Sequence, residues 1–507
     1  MTRLRPSSAT TSAQPQPATG HDRLPRRWFR GTAAVLGASL AFASLAACSS
    51  DSTSAAVTGT TSTGEWGDSS VRTASYSDGT VWDSSTVHTI SVEMDEAEYA
   101  AMLETYVTTE EKDWISATVT IDGETFTDVG LRLKGNSSLK SLSTTNSEAE
   151  DLPWLIRLDK YVDDQNLDGS TNFVVRSSSM ETSINEAVAL ELLDEAGLAS
   201  QEAISTRFSI NGSAETLRLA IELPDETWDA AEFETEGILY KAEAEGDYTY
   251  RGDDAESYVD VFDQETGEDN LEPLIEFLQF INESDDETFA AELSDHLDVD
   301  AFATYLAVQD LVANNDDIDG RGNNSYLRYD TTTGAFTVVN WDLNLAFGQT
   351  PATAGSGETG VGGVGGVGGD RGALPDGAEI PEGATPPDGA ALPEGAAAGE
   401  ELPEGATGGR PDGATGQEGM AGQGGAGAQG GGMEGNNVLS TRFLADAGFA
   451  ALYDQALTDL KASLYTSGEA DAILTTWTDM LTDQASDLVD AETIASEAAV
   501  LHTVFTS

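Results

Sequence analysis

The chain has 507 residues, more than one compact domain usually holds, and a formal net charge of −65. So acidic a chain lacks the basic surface that a nucleic acid requires, and we therefore exclude nucleic-acid binding. Its one cysteine, Cys48, excludes an intrachain disulfide and a cysteine-based zinc site.

Residues 1–47 have the pattern of an export signal. Arg26 and Arg27 precede an apolar run over residues 31–47, which is too short and too weakly hydrophobic for a lasting transmembrane helix. The run ends in Leu-Ala-Ala followed by Cys48, and this ending resembles the lipobox of bacterial lipoproteins. We therefore expect a lipid on Cys48 that anchors the protein at the extracytoplasmic face of the cell membrane. The twin arginines leave export by the Tat or the Sec route open.

Residues 48–86 are rich in Ser, Thr and Gly, a composition typical of a flexible tether. Residues 87–349 then carry the periodicities of a folded α+β region. Asp122-Gly123 and Asn211-Gly212 predict tight turns between paired strands, and Ser183 and Asp300 stand where helix N-caps are expected. Strands are predicted at 88–92, 115–121, 126–133, 155–158, 173–175, 205–210 and 217–223, and helices at 95–106, 183–197, 271–281 and 300–313.

Residues 350–436 lose this periodicity. The tetrapeptide Pro-Asp/Glu-Gly-Ala occurs six times there, and such a composition cannot bury enough apolar surface to offset the entropy cost of ordering. We predict a disordered insertion. Helical periodicity returns over 437–507, at 438–443, 449–465, 470–481 and 491–504, and we expect these helices to pack on residues 87–349 as parts of one domain.

The block from Asn314 to Gly348 is the richest in chemistry. It concentrates carboxylates and amides at two loop positions that are separated by strand-like segments, and it ends in Trp341-Asp342-Leu343-Asn344 before Gly348. Oxygen ligands presented in this way suit a hard cation such as Mg²⁺ that holds a phosphate chain. The block therefore favours an ATP-using phosphotransferase.

The order of several motifs resembles the CotH kinase family, whose fold is related to that of protein kinases. The motifs are LRLKGNSS at 131–138, the strand at 155–161, the helix that begins at Ser183, ILYK at 238–241, the 314–348 block and the helical sequence from Asn437. The resemblance implies an atypical protein-kinase-like α+β fold that is interrupted by the long disordered insertion. It also implies ATP with Mg²⁺ or Mn²⁺ as cofactors and transfer of the γ-phosphate to Ser or Thr of envelope or secreted proteins.

The resemblance assigns roles within the 314–348 block. Asp342 resembles the metal-binding aspartate of kinases, and Asp316 resembles the catalytic aspartate that orients or deprotonates the acceptor hydroxyl. Asn324 resembles the amide that binds a second metal ion. Asn344 stands where many members of the family carry aspartate, so its amide oxygen is a metal ligand without a charge. Asp317 and Asp319 lie close enough to Asp316 to take its place in the alignment.

Cations upstream are the expected ligands of the ATP phosphates. Lys134 offers an ammonium group, and the loop after it, with Asn136 and Ser137, offers backbone N–H donors. Arg157, Lys160 and Lys241 are further phosphate contacts in this interpretation. The carboxylate that holds one of these cations in place is Glu222 or Glu186.

Two other functions remain open from the sequence. One is a catalytically weak or inactive kinase-like module with a binding or structural role at the cell surface, which the charge of −65 and Asn344 favour because both work against binding of metal-ATP. The other is phosphate transfer to a sugar or another small molecule.

Overall fold

The computed structural model describes residues 80–139, 142–144, 148–244, 247–319, 322–349 and 437–507, without the side chain of Ser137. All of them belong to one compact unit. Cys48, the export signal, the insertion at 350–436 and the tether up to residue 79 lie outside the described residues, so the predictions for them stay predictions.

Seven strands close into a barrel around an apolar interior. Their order is β1-β2-β3-β4-β5-β7-β6, and a parallel pairing of β1 with β6 closes the circle while all other neighbours are antiparallel. Alternate side chains point inward, as in any strand, and form a core that includes Val119, Leu131 and Ile156. The strands are β1 His88–Met94, β2 Ile115–Ile121, β3 Glu124–Leu133, β4 Trp154–Arg157, β5 Asn172–Val175, β6 Ala203–Ile210 and β7 Thr216–Ile221.

A second, four-stranded antiparallel sheet has the order β11-β10-β8-β9. It shares a large apolar core with the helices, in which Tyr240, Leu327 and Phe336 are buried. The 314–348 block supplies two of its strands, as the strand-like segments there indicated. The strands are β8 Gly237–Ala242, β9 Phe262–Gln264, β10 Ser325–Asp330 and β11 Phe336–Asn340.

The described residues also form ten α-helices, and the predicted mixed α+β class is confirmed. None of the helices in the described part of the chain has the length and apolar character that crossing a membrane would require. The helices are α1 Glu96–Thr109, α2 Ile184–Glu195, α3 Glu226–Glu232, α4 Glu272–Glu283, α5 Asp286–His296, α6 Val299–Leu311, α7 Val438–Ala445, α8 Ala447–Leu460, α9 Glu469–Gln484 and α10 Ala491–Phe505.

The four C-terminal helices contact both parts of the preceding chain. Trp477 of α9 donates from Nε1 to Glu191 of α2 at 2.7 Å, and Gln484 accepts from the backbone N–H of Val87 at 2.9 Å. The Ser440 hydroxyl donates to Asp319 Oδ1 at 2.6 Å. Residues 437–507 therefore fix the position of α2 and of the loop that contains Asp319.

One of the two predicted helix caps is wrong, and the other is correct in position alone. Ser183 is the N-cap residue of α2, with a φ of 56°, but its side chain makes no capping bond. Thr182 Oγ1 accepts from the Ile184 N–H instead, at 3.3 Å. Helix α6 is capped by Asp298, which accepts from the Ala301 N–H at 2.9 Å, because the helix begins before Asp300. Helices α3 and α5 were missed because both are short and polar on much of their surface.

Candidate functional site

A basic face covers the outside of the barrel at β3, β4 and β5. The inward positions of these strands are apolar, so the alternation of a strand turns Arg132 of β3 and Arg157 of β4 outward. Lys134 and Arg176 follow the ends of β3 and β5, where their backbone N–H groups still bond to neighbouring segments. Three adjacent strands thus present cations on one surface.

Strands β8 and β9 supply the opposite side of this cation cluster. Lys241 of β8 pairs with Glu243, with 2.5 Å between Nζ and Oε1. Burial and, to a smaller extent, the positive charges of Lys241 and Arg132 lower the pKa of Lys134 to about 7. Glu265 and Glu243 oppose this shift without cancelling it. Lys134 thus lies beside other cations, and an anion bound there would favour its charged form.

The Trp341 ring joins this cluster to the acidic segment after β11. Lys134 Nζ lies 5.3 Å from the centroid of the ring, and Arg176 Cζ lies 5.7 Å from it. Both distances are within the range of a cation–π interaction. The next residue is Asp342, so the chain places a carboxylate beside the cations.

Asp342 forms a network with Arg176 and Glu186. Arg176 donates from Nη2 to Asp342 Oδ1 and from Nε to Glu186 Oε2, the latter at 2.8 Å. The Arg176 and Glu186 side chains are 7% and 1% exposed, whereas that of Asp342 is 28% exposed. Burial by itself would lower the pKa of Arg176, but the carboxylates of Asp342 and Glu186 outweigh it, and the pKa is raised. Asp342 is thus the member of the network that a ligand in solution can reach.

Asp316 and Asn324 lie next to this network. Asn324 donates from Nδ2 to the backbone oxygen of Asp316 at 2.7 Å, and its own backbone oxygen accepts from the Trp341 N–H at 3.2 Å. Asn324 has a φ of 56° and Asp342 one of 66°, left-handed conformations that Asn and Asp tolerate better than most residues. Hydrogen bonds thus connect Asp316 to Asn324, and Asn324 to the residue that precedes Asp342.

Asp317 and Asp319, the alternatives to Asp316 as the catalytic aspartate, have different surroundings from Asp316. Burial raises the pKa of Asp317 to about 7, and Asp319 adds to the shift. Asp319 accepts a hydrogen bond from the hydroxyl of Ser440 in α7.

Asn344 follows Asp342 by two residues, and its backbone oxygen accepts a hydrogen bond from Asn185 Nδ2 at 2.7 Å. This bond ties α2 to the segment after Asp342.

The predicted phosphate contacts occupy different places. Asn136 is exposed in the loop after Lys134, and Ser137 begins a short 3₁₀ turn. Arg157 pairs with Asp159, with 2.7 Å between Nε and Oδ1. Lys160 Nζ lies 4.8 Å from the centroid of the Trp114 ring, which Arg132 also contacts. Of these residues, Lys241 is the one whose charge lowers the pKa of Lys134 beside Trp341.

Glu222 has a different environment from the one predicted for it. Its Oε2 accepts from the Glu202 N–H at 3.1 Å, and its charge, after burial, raises the pKa of Glu202 to about 9. It therefore lies among carboxylates, whereas Glu186, the alternative, pairs with Arg176. Arg176 was missed, although it is the charged residue between a predicted strand and the helix that carries Glu186.

The residues present fit a metal ion that is shared with phosphates. In the described part of the chain, no group of three or more His, Cys, Asp or Glu side chains could hold a metal ion by itself. Mg²⁺ in phosphotransferases is commonly held by one or two carboxylates together with phosphate oxygens. Asp342 offers such a carboxylate beside cations that would hold the phosphates.

A family model described as CotH kinase protein matches residues 131–496 of this chain. The matched range begins within β3, and it contains Lys134, Lys241, Asp316 and Asp342. None of the curated proteins matches the chain.

Proposed function

This chain belongs to the CotH kinase family, and we propose that it is an atypical protein kinase that transfers the γ-phosphate of ATP to Ser or Thr hydroxyls. Family membership supports the reaction class, and the cations beside Trp341 and Asp342 support the nucleotide as the ligand. We further propose that the acceptors are envelope or secreted proteins, because the first 47 residues have the pattern of a lipoprotein export signal.

One observation carries the proposal. The chain has 24 basic against 89 acidic residues, yet Lys241 and Arg132 lie close enough to Lys134 to lower its pKa. Like charges brought together cost free energy, and a polyanionic ligand recovers that cost when it binds. The triphosphate of ATP is such a ligand, and Asp342 lies beside these cations through Trp341.

Each residue of the site has a distinct task in this reaction. Lys134 and Lys241 hold the phosphates by their charge, and Asp342 and Asn324 supply oxygen ligands. Asp316 orients the acceptor hydroxyl and accepts its proton. Bound Mg²⁺ or Mn²⁺ neutralises the charge that develops on the transferred phosphoryl group. Glu243 pairs with Lys241 and keeps that ammonium in place.

Purified protein incubated with γ-labelled ATP, Mn²⁺ and a mixture of envelope proteins tests the proposal. We expect label on Ser or Thr, and its loss in Asp342→Asn. Asp128→Asn is the matched control, because Asp128 also has a positive φ, of 55°, but lies exposed in β3. Asn is compatible with that conformation, so neither variant introduces new backbone strain.

The outcomes separate the possible functions. ATP binding without transfer to any acceptor would support a kinase-like binding module at the cell surface, and label on a small molecule would support a different acceptor class. Absence of ATP binding by the wild-type protein would refute the nucleotide site altogether. Anchoring is tested separately: Cys48→Ala should move the protein from the membrane fraction to the soluble fraction.

A further inference from the structure

The buried guanidinium of Arg176 donates hydrogen bonds to two carboxylates. Its Nε donates to Glu186 Oε2 at 2.8 Å and its Nη2 donates to Asp342 Oδ1. Only 7% of the Arg176 side chain and 1% of the Glu186 side chain are exposed. A buried charge without a partner is strongly unfavourable, so each of these two groups holds the other in position.

Helix α2, which carries Glu186, is fixed from two sides. Glu497 of α10 accepts hydrogen bonds from the backbone N–H groups of Glu181 and Thr182, at 2.8 and 3.0 Å, just before the helix begins. Asn185 donates to the backbone oxygen of Asn344. The carboxylate that holds Arg176 is therefore part of a rigid support and not of a mobile loop.

Asp342 needs such a support. It has a left-handed backbone conformation and lies between β11 and a 3₁₀ turn, with no side-chain capping bond. Arg176 takes Oδ1, while Oδ2 accepts no hydrogen bond from the described residues. We propose that Arg176, held by Glu186, is a positioning residue that fixes the Asp342 carboxylate with Oδ2 available to the metal ion. The inference rests on the proposed function, since it takes Asp342 as the metal ligand.

This role differs from that of the lysine that pairs with a helix glutamate in protein kinases, because that lysine contacts the phosphates. Here the phosphate charge is assigned to Lys134 and Lys241, and the carboxylate that pairs with Lys241, that of Glu243, is 38% exposed. The planar fork of arginine can bridge Glu186 and Asp342 at once, and a single ammonium group cannot reproduce that geometry. Arg176→Lys therefore keeps the charge and removes the positioning.

The test compares ATP binding in EDTA with ATP binding in Mn²⁺, measured by calorimetry on the full-length protein. For Arg176→Lys we expect an affinity for ATP in EDTA within twofold of wild type, and an enhancement by Mn²⁺ that is at least tenfold smaller. Glu186→Gln should behave in the same way, because it keeps the shape of the site but releases Arg176. Lys134→Met is the contrasting control: it should lose at least tenfold affinity in EDTA and keep the enhancement by Mn²⁺.

Two results would overturn the inference. If Arg176→Lys loses as much affinity for ATP in EDTA as Lys134→Met, Arg176 is a phosphate ligand. If Arg176→Lys keeps the full enhancement by Mn²⁺, Arg176 does not position the metal ligand. Thermal unfolding in EDTA tests the ion pair between Arg176 and Asp342 in the absence of any ligand. Arg176→Lys and Asp342→Asn combined should lower Tm by less than the sum of the single changes. Additive changes would refute the pairing, whereas failure of wild type to bind ATP would refute only the proposed function.

Discussion

The affinity of the protein for ATP should fall as the pH rises above 7. Burial, together with Lys241 and Arg132, lowers the pKa of Lys134 to about 7 from its ordinary 10.5. Below pH 7 the ammonium is charged and attracts the phosphates. Above pH 7 the free protein loses this proton and must recover it to bind ATP, because the anionic ligand favours the charged form.

The size of the effect follows from proton linkage. Each pH unit above the pKa of the free protein costs a factor of about ten in affinity, or about 1.4 kcal/mol, until the pKa of the complex is reached. Between pH 7.5 and 9 the Kd for ATP should therefore rise about thirtyfold. The last phosphate proton titrates near pH 6, so ATP itself contributes little over this range.

Calorimetry in EDTA at several pH values, in buffers with different heats of ionisation, measures both the affinity and the proton uptake. Lys134→Arg is the matched control, because a guanidinium stays charged throughout and should give a Kd that changes less than threefold. A wild-type Kd that is flat from pH 7.5 to 9 would refute the reasoning. An equal slope in Lys134→Arg would assign the proton to another group.

Two further predictions concern stability. Burial and the charge of Glu222 raise the pKa of Glu202 to about 9, so the folded protein keeps a proton there that the unfolded chain releases above pH 4.5. Stability should therefore fall as the pH rises from 5 to 9, and Glu202→Gln should flatten this slope in thermal unfolding; an unchanged slope would contradict it. Glu497→Gln should lower the free energy of unfolding in urea by about 2 kcal/mol, because an amide cannot accept from both N–H groups before α2, and Glu492→Gln in the same helix is the control. Equal stability of the two variants would show that this contact contributes nothing.

Strand positions were predictable wherever burial is one-sided. The alternation over residues 115–121 and the turn at Asp122-Gly123 correspond to β2 and its hairpin with β3, because a strand with one buried face shows its period in the sequence. The C-terminal helices were predicted for the same reason, with a period of 3.6. Helix caps were less predictable, since Asp298 and Asp300 are equivalent by residue type and the packing of α6 decides between them.

For the candidate site, the sequence allowed some residues to be named, but it did not show which residues they contact. Asp342, Asp316 and Lys134 could be named from residue types and motif order, because carboxylates near strand ends and a lysine before a glycine loop carry their chemistry locally. The residues that contact them could not be named from the sequence. Glu222 and Glu186 are both glutamates next to predicted elements, and only the folded chain places Glu186 against Arg176 and Glu222 against Glu202.

The sequence by itself determined the acidic character of the chain, its element pattern, its resemblance to the CotH kinase family and the chemistry available at Asp316 and Asp342. Only the tertiary structure decided which charges meet. Arg176 directly follows β5 and Asp342 lies two residues after β11; they are separated by 166 positions along the chain, and only folding brings them into contact. Charge pairing depends on distance and burial, and neither quantity is fixed until distant segments pack together.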